Sequence, residues 1–210
     1  MIARAEPLEP TGLPGELLPA HAEGSRSFGW WGMVWLIVAE ATLFASLLLS
    51  YFYLRFQSGS VWPPDGIPNP DLALPLVMSA ILWSSSIPVH LADRAIERGN
   101  TRALRLGLAV GWILGAAFLV LQLVVEYPGV LEEFTPRTNA YGSLFFAITG
   151  LHATHVLVGL ALSAWVQVRA RAGAYDEWRH TTVQVFAMYW HFVDAVWFFV
   201  LLTLYVSPGL

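Results

Sequence analysis

The sequence predicts an all-α membrane protein, a polytopic five-helix transmembrane bundle with its N-terminus cytoplasmic and its C-terminus outside. Three observations carry that reading. Charge is scarce: 56% of the 210 residues are hydrophobic and only 12% charged, about half the share of a typical soluble domain. Five windows are long and apolar enough to cross about 30 Å of hydrocarbon. The arginines are distributed asymmetrically between the connections, which sets an orientation.

The elements follow in order. Residues 1–27 carry Pro7, Pro10, Pro14, Pro19 and four glutamates. They contain no apolar stretch of the kind a signal peptide needs, and read as a cytoplasmic polar tail. Residues 28–210 form a single transmembrane domain with spans at about Phe28–Leu54, Leu72–Leu91, Leu106–Tyr127, Tyr141–Val168 and Thr182–Val206. Each window is apolar around its whole circumference, as a membrane helix is. The first break holds Gly59, Pro63, Pro64, Gly66 and Pro68, which stop helices and favour turns. The second, Ala92–Arg105, is charged and contains Gly99-Asn100, a helix stop and turn. Pro128-Gly129 is expected to end the third span, Gly173 to open the last loop, and Pro88 to kink the second span.

Arginine supplies all eleven positive side chains, since there is no lysine. Nine of them (Arg4, Arg26, Arg94, Arg98, Arg102, Arg105, Arg169, Arg171 and Arg179) fall in the tail and the second and fourth connections. Only Arg55 and Arg137 fall on the other side. Positive residues are retained in the cytoplasm, so the N-terminus is placed inside. The absence of cysteine excludes disulfides, thiolate-bound copper and haem attached through a C-x-x-C-H motif. The composition also excludes a nucleic-acid-binding chain.

A charge at the centre of a membrane helix costs about 2.5–3.5 kcal/mol on the insertion scale, so ionisable residues there point to function. Glu40 stands at the midpoint of the first span, with only Arg55 as a cation in that span. It is the candidate buried, proton-handling carboxyl, or a group that fixes packing. His152 and His155 lie at i, i+3 in the fourth span, and His191 and Asp194 repeat that spacing in the fifth. If the two pairs face each other, His–Asp hydrogen bonds would satisfy both, and Glu126 at the end of the third span would reach the same cluster. Three readings are open: a carboxylate-bundle metal site, haem ligation by two histidines, and a structural polar network of Glu126, His152, His155, His191 and Asp194. The ligand set is short of a paired Glu-x-x-His arrangement, and nothing beyond the imidazoles supports haem. The structural network is therefore preferred, with no catalytic and no metal residue assigned.

The chain resembles subunit III of the haem–copper oxidases. Tyr189-Trp-His-Phe-Val-Asp-Ala-Val-Trp197 is close to the family's Y-W-H-F-V-D-x-V-W, and Gly150-Leu-His-Ala-Thr-His155-Val-Leu-Val-Gly159 to its G-x-H-x-x-H-V-x-x-G. Gly32-Met-Val-Trp-Leu with Ala39-Glu40-Ala-Thr-Leu-Phe44, and Ser50-Tyr-Phe-Tyr-Leu-Arg55, match a third pattern in which an acidic residue takes the place of Glu40. Ser84-Ser85-Ser86 with His90 and Ala92, and Gln122 with Glu126-Tyr127, are similar to weaker ones.

The resemblance implies an accessory subunit of the five-span bacterial form, in the inner (plasma) membrane. Cytochrome c oxidase is preferred, with a quinol oxidase or a nitric oxide reductase relative as alternatives. It implies no cofactor on this chain. Haem and copper would reside in partner subunits I and II, and cytochrome c would be met only indirectly. Membrane phospholipid is the expected ligand, with Arg26, Arg94 and Arg179 as candidate contacts to lipid phosphate. The role implied is support of stability, sustained turnover and proton uptake while the complex reduces oxygen to water and translocates protons. Two rivals come from other classes: a small proton-coupled carrier working through Glu40 and Asp194, and a haem-bearing membrane cytochrome.

Overall fold

The computed structural model describes residues 27–59, 62–64 and 66–209. The tail assigned to the cytoplasm lies outside them, apart from Ser27, as does Arg26. Five helices are long and apolar enough to span a membrane: α1 Phe28–Gln57, α2 Ala73–Ile96, α3 Thr101–Glu133, α4 Ala140–Arg171 and α5 Thr181–Gly209. There is no strand among the described residues.

Polar residues at the helix ends set the starts. Ser27 Oγ accepts from the Trp30 N–H of α1, Asn100 Oδ1 from Ala103 N–H of α3, and Asn139 Oδ1 from Gly142 N–H of α4. Each satisfies one of the orphan donors of a first turn. The α2–α3 connection is much tighter than its charged sequence suggests. Asp93 and Arg94 ride on the last turn of α2, while Arg102 and Arg105 belong to α3. Gly99, at φ +70°, makes the reversal in a left-handed conformation natural only to glycine.

The third helix differs from expectation. Pro128-Gly129 does not end it, and the helix runs on to Glu133. A π-helical turn at Leu121–Glu126 precedes the proline, which therefore sits in the first turn of a fresh α-helical segment. The wider π turn, in which the Tyr127 N–H reaches back to the Gln122 carbonyl, accommodates a residue with no N–H to donate. A second π-helical turn occupies Leu201–Val206 of α5.

The core lies on α5, whose Trp190 and Trp197 are buried to 1% and 0% exposure. Their indole N–H groups donate to Ser85 Oγ at 2.9 Å and Ser79 Oγ at 2.8 Å, both on α2. The space for these rings comes from glycine. A Cβ at Gly115 of α3 would stand 2.6 Å from Trp190, and one at Gly159 of α4 2.7 Å from it. Gly107 and Gly111 continue the Gly115 stripe against α2, where a Cβ would meet the Pro88 carbonyl at 2.5 Å and Val89 at 2.6 Å. Close approach through small residues is the usual device of membrane helix pairs. Outward lie large apolar side chains such as Trp35, Phe52, Ile87, Ile113, Val124 and Phe199, all exposed, the surface that hydrocarbon or neighbouring membrane helices would cover.

Candidate functional site

The ionisable groups inside the spans do not form one network. They divide into separate cells, each set by which face of its helix a residue occupies.

The first cell joins α1 to α4. Glu40 Oε2 lies 3.1 Å from His155 Nε2, with side chains 28% and 12% exposed. His155 Nδ1 is 2.8 Å from the Leu151 carbonyl oxygen. A carbonyl only accepts, so Nδ1 carries a proton. The opposite nitrogen then either donates to a carboxylate or accepts from a carboxylic acid, and one proton is shared between imidazole and carboxyl in both cases. The Tyr189 hydroxyl donates to the His155 carbonyl at 3.1 Å, and Phe44 packs its ring edge-on at 5.1 Å. Glu40 thus finds its partner on another helix, and the carboxyl is half-buried rather than enclosed.

His152, one turn away, has the opposite environment. It is fully buried, and neither ring nitrogen has a hydrogen-bond partner among the described residues. Trp197 lies tilted against it at 4.9 Å, and Phe118 and Phe44 approach edge-on at 5.8 and 6.5 Å. The i, i+3 spacing leaves the two imidazoles about 60° apart around the helix. That angle turns His155 towards α1 and His152 into the aromatic core.

The second cell joins α5 to α2. Ser86 Oγ donates to Asp194 Oδ2 and lies 3.0 Å from His191 Nδ1. With the hydroxyl proton spent on Asp194, the serine oxygen accepts from His191 Nδ1–H. The expected His–Asp hydrogen bond between α4 and α5 is not formed: Asp194 faces α2, and serine is its partner. The third cell is Glu126 with Tyr205, whose hydroxyl donates to Glu126 Oε1. Glu126 does not reach the histidines. Its neighbours on α3 turn to α4, where Gln122 Nε2 donates to the Thr149 carbonyl and the Tyr127 hydroxyl to Thr149 Oγ1. Among the described residues no three His, Asp or Glu side chains gather as a metal ion would require.

Two of the candidate lipid contacts, Arg94 and Arg179, are already engaged. Arg94 pairs with Glu97 at 3.5 Å, and Arg179 with Asp176 at 2.7 Å. The bond from Arg179 holds the Asp176 carboxyl below its usual range.

Set beside known proteins, residues 15–208 match the family described as Cytochrome c oxidase subunit III. A Cytochrome c oxidase subunit 3 of Thermostichus vulcanus is 34% identical over 187 residues, covering 89% of this chain and 90% of that one. The Synechocystis protein of the same name is 34% identical over 205 residues, 97% and 85% of the two chains. The Anopheles gambiae one is 35% identical over 181 residues, 83% and 68%.

The chain belongs to the cytochrome c oxidase subunit III family. It is an accessory subunit of an oxidase complex and a multi-pass membrane protein. The carrier and nitric oxide reductase readings are not favoured by these relatives. Two partners in the polar cells escaped sequence reasoning. Ser86 was visible only as part of a serine triplet, and the pairing of Tyr205 with Glu126 had no signal, because 79 residues separate them. The Gly107, Gly111, Gly115 stripe was readable from its four-residue spacing.

Proposed function

We propose that the chain is subunit III of a cytochrome c oxidase of a bacterial plasma membrane. In this reading it binds neither haem nor copper and takes no direct part in chemistry. It packs beside the subunits I and II that hold those groups, steadies them during turnover and assists proton uptake, while cytochrome c docks elsewhere. The observation that carries the reading is the use of the membrane-embedded acids. Glu40, Asp194 and Glu126 each bond one protein partner from another helix, which suits helix register rather than a substrate path through the chain. Cytochrome c as donor rests on the names of the relatives, and the inward N-terminus on the arginine asymmetry.

Phospholipid is the ligand of this reading, lying along the exposed apolar faces. A lipid phosphate at Arg94 or Arg179 would compete with Glu97 or Asp176 for the guanidinium.

The test is purification in mild detergent. The chain should co-purify with a large haem-bearing subunit and a copper-bearing one, and be colourless once separated from them. A Soret band on the separated chain, or proton-coupled transport by the chain alone in liposomes, contradicts the proposal.

A further inference from the structure

One end of the bundle holds a pocket of about 380 Å³ between the start of α2, the end of α3, α4 and the end of α5. Its lining has a pronounced chemical bias. Glu126, Asp71, Glu132 and Glu133 contribute carboxyls, and none of the described lining residues is basic. Phe134, Phe145 and Tyr205 supply aromatic wall, with Phe145 5.4 Å from Phe134 and 5.6 Å from Tyr205. Glu126 is only 5% exposed. One of its oxygens takes the Tyr205 hydroxyl, and the other, Oε2, has no hydrogen-bond partner.

The backbone is shaped for this arrangement. Glu126 closes the π-helical turn of α3, and Tyr205 lies within that of α5. Such turns are uncommon and recur at functional sites, because the extra residue re-aims the side chains that follow. Two of them bring one carboxyl and one phenol together at the floor of the same pocket.

From this combination we infer that the pocket binds an organic ammonium group. A bare metal ion needs several oxygens converging on one point, and no such group of carboxyls is present among the described residues. An ammonium on a carbon skeleton fits better. Its charge complements the four acids, among them Glu126 with one oxygen left unpaired, and its carbons meet proline and aromatic walls, of which Phe134, Phe145 and Tyr205 attract cations through their ring faces. The ligand is either a free alkylammonium ion or the ammonium of a choline or ethanolamine headgroup, which share a positive charge carried on carbon, recognised by carboxylates and aromatic faces alike.

The experiment uses the complete oxidase complex. In one arm, reconstituted in anionic-lipid nanodiscs free of amines, it is titrated with tetramethylammonium and ethylammonium by saturation-transfer NMR, with neutral 3,3-dimethylbutanol as control. In the other, phosphatidylethanolamine or phosphatidylcholine retained after delipidation is measured by native mass spectrometry. At least one arm should show binding that Glu126→Gln weakens about tenfold or more, the loss of one charge-assisted contact. Glutamine keeps an acceptor for Tyr205; should that variant fail to assemble, Glu132→Gln with Glu133→Gln on the exposed rim should still weaken binding several-fold. Binding in the first arm alone identifies a free ammonium ion, and in the second alone a lipid headgroup. Equal binding of dimethylbutanol, indifference to these substitutions, or no binding in either arm because a neighbouring subunit fills the pocket overturns the inference.

Discussion

His155 Nε2 and Glu40 Oε2 meet at 3.1 Å across the contact between α1 and α4. α1 is the least buried of the five helices, so this bond, with the Tyr51 hydroxyl that accepts from the Trp62 indole N–H at 2.9 Å, is one of the polar ties that hold it. Hydrogen bonds between membrane helices average about 0.6 kcal/mol and reach about 1.7. A double-mutant cycle on Glu40→Gln and His155→Gln, read as thermal dissociation of the chain from the purified complex, should give a coupling energy in that range. Additive effects would show that the two groups do not act together. His152→Leu is the contrast: that ring makes no hydrogen bond with described residues, so an apolar replacement of similar size should cost less than His155→Leu.

Ser86 is a second testable joint, because one hydroxyl serves both Asp194 and His191. Ser86→Ala leaves the buried Asp194 and the half-buried His191 without that partner, a loss of about 1–3 kcal/mol. Asp194→Asn keeps an acceptor for the serine and should cost less. Subunit yield in the assembled complex and its melting temperature measure both. An Asp194→Asn variant less stable than Ser86→Ala would contradict the assigned bonding.

The glycines around Trp190 give a steric prediction. Gly115→Ala and Gly159→Ala each place a methyl under 3 Å from a rigid buried indole, and overpacking of this kind costs about 1–3 kcal/mol. Gly32→Ala meets nothing within 4 Å and should be neutral or slightly stabilising through helix propensity. Melting temperatures of the three variants check the order, and equal values would argue against the close approach of α3 and α4 to Trp190.

These residues also show how far the sequence could be read. The five helices were legible because apolar length and charge scarcity report directly on a lipid environment, and the final-span motif led to the family. The tertiary pairing was not. The spacing of His152 and His155 put them on nearly one face, yet the angle between them sends one to Glu40 and the other to Trp197. Pro128 was read as a stop because a proline breaks the α-helical ladder, and no feature of the sequence marked the π-helical turn that accommodates it. Ser86 and Tyr205 become partners only when helices distant in sequence pack together.

One prediction concerns pH. Arg179 holds Asp176 below its usual carboxyl range, so the charged form is favoured in the folded loop. Its contribution is fully present above the unfolded value of about 4 and is lost as pH falls through the lowered folded value. The Trp178 and Arg179 N–H groups donate to Asp176 Oδ1 at 2.9 and 2.7 Å and report on it by hydrogen exchange. Their protection should persist to lower pH in the native chain than in Arg179→Gln. Coincident pH profiles would remove the arginine from the explanation.

The central claim is that this chain supports the oxidase without performing its chemistry, and the time course of oxygen consumption tests it most directly. Complexes purified with and without the chain are supplied with reduced cytochrome c and followed through prolonged turnover. The expected result is the same haem spectrum and a comparable initial rate in both, with faster decay of activity where the chain is missing. An initial rate near zero with haem and copper retained would place the chain in the chemistry itself and contradict the claim.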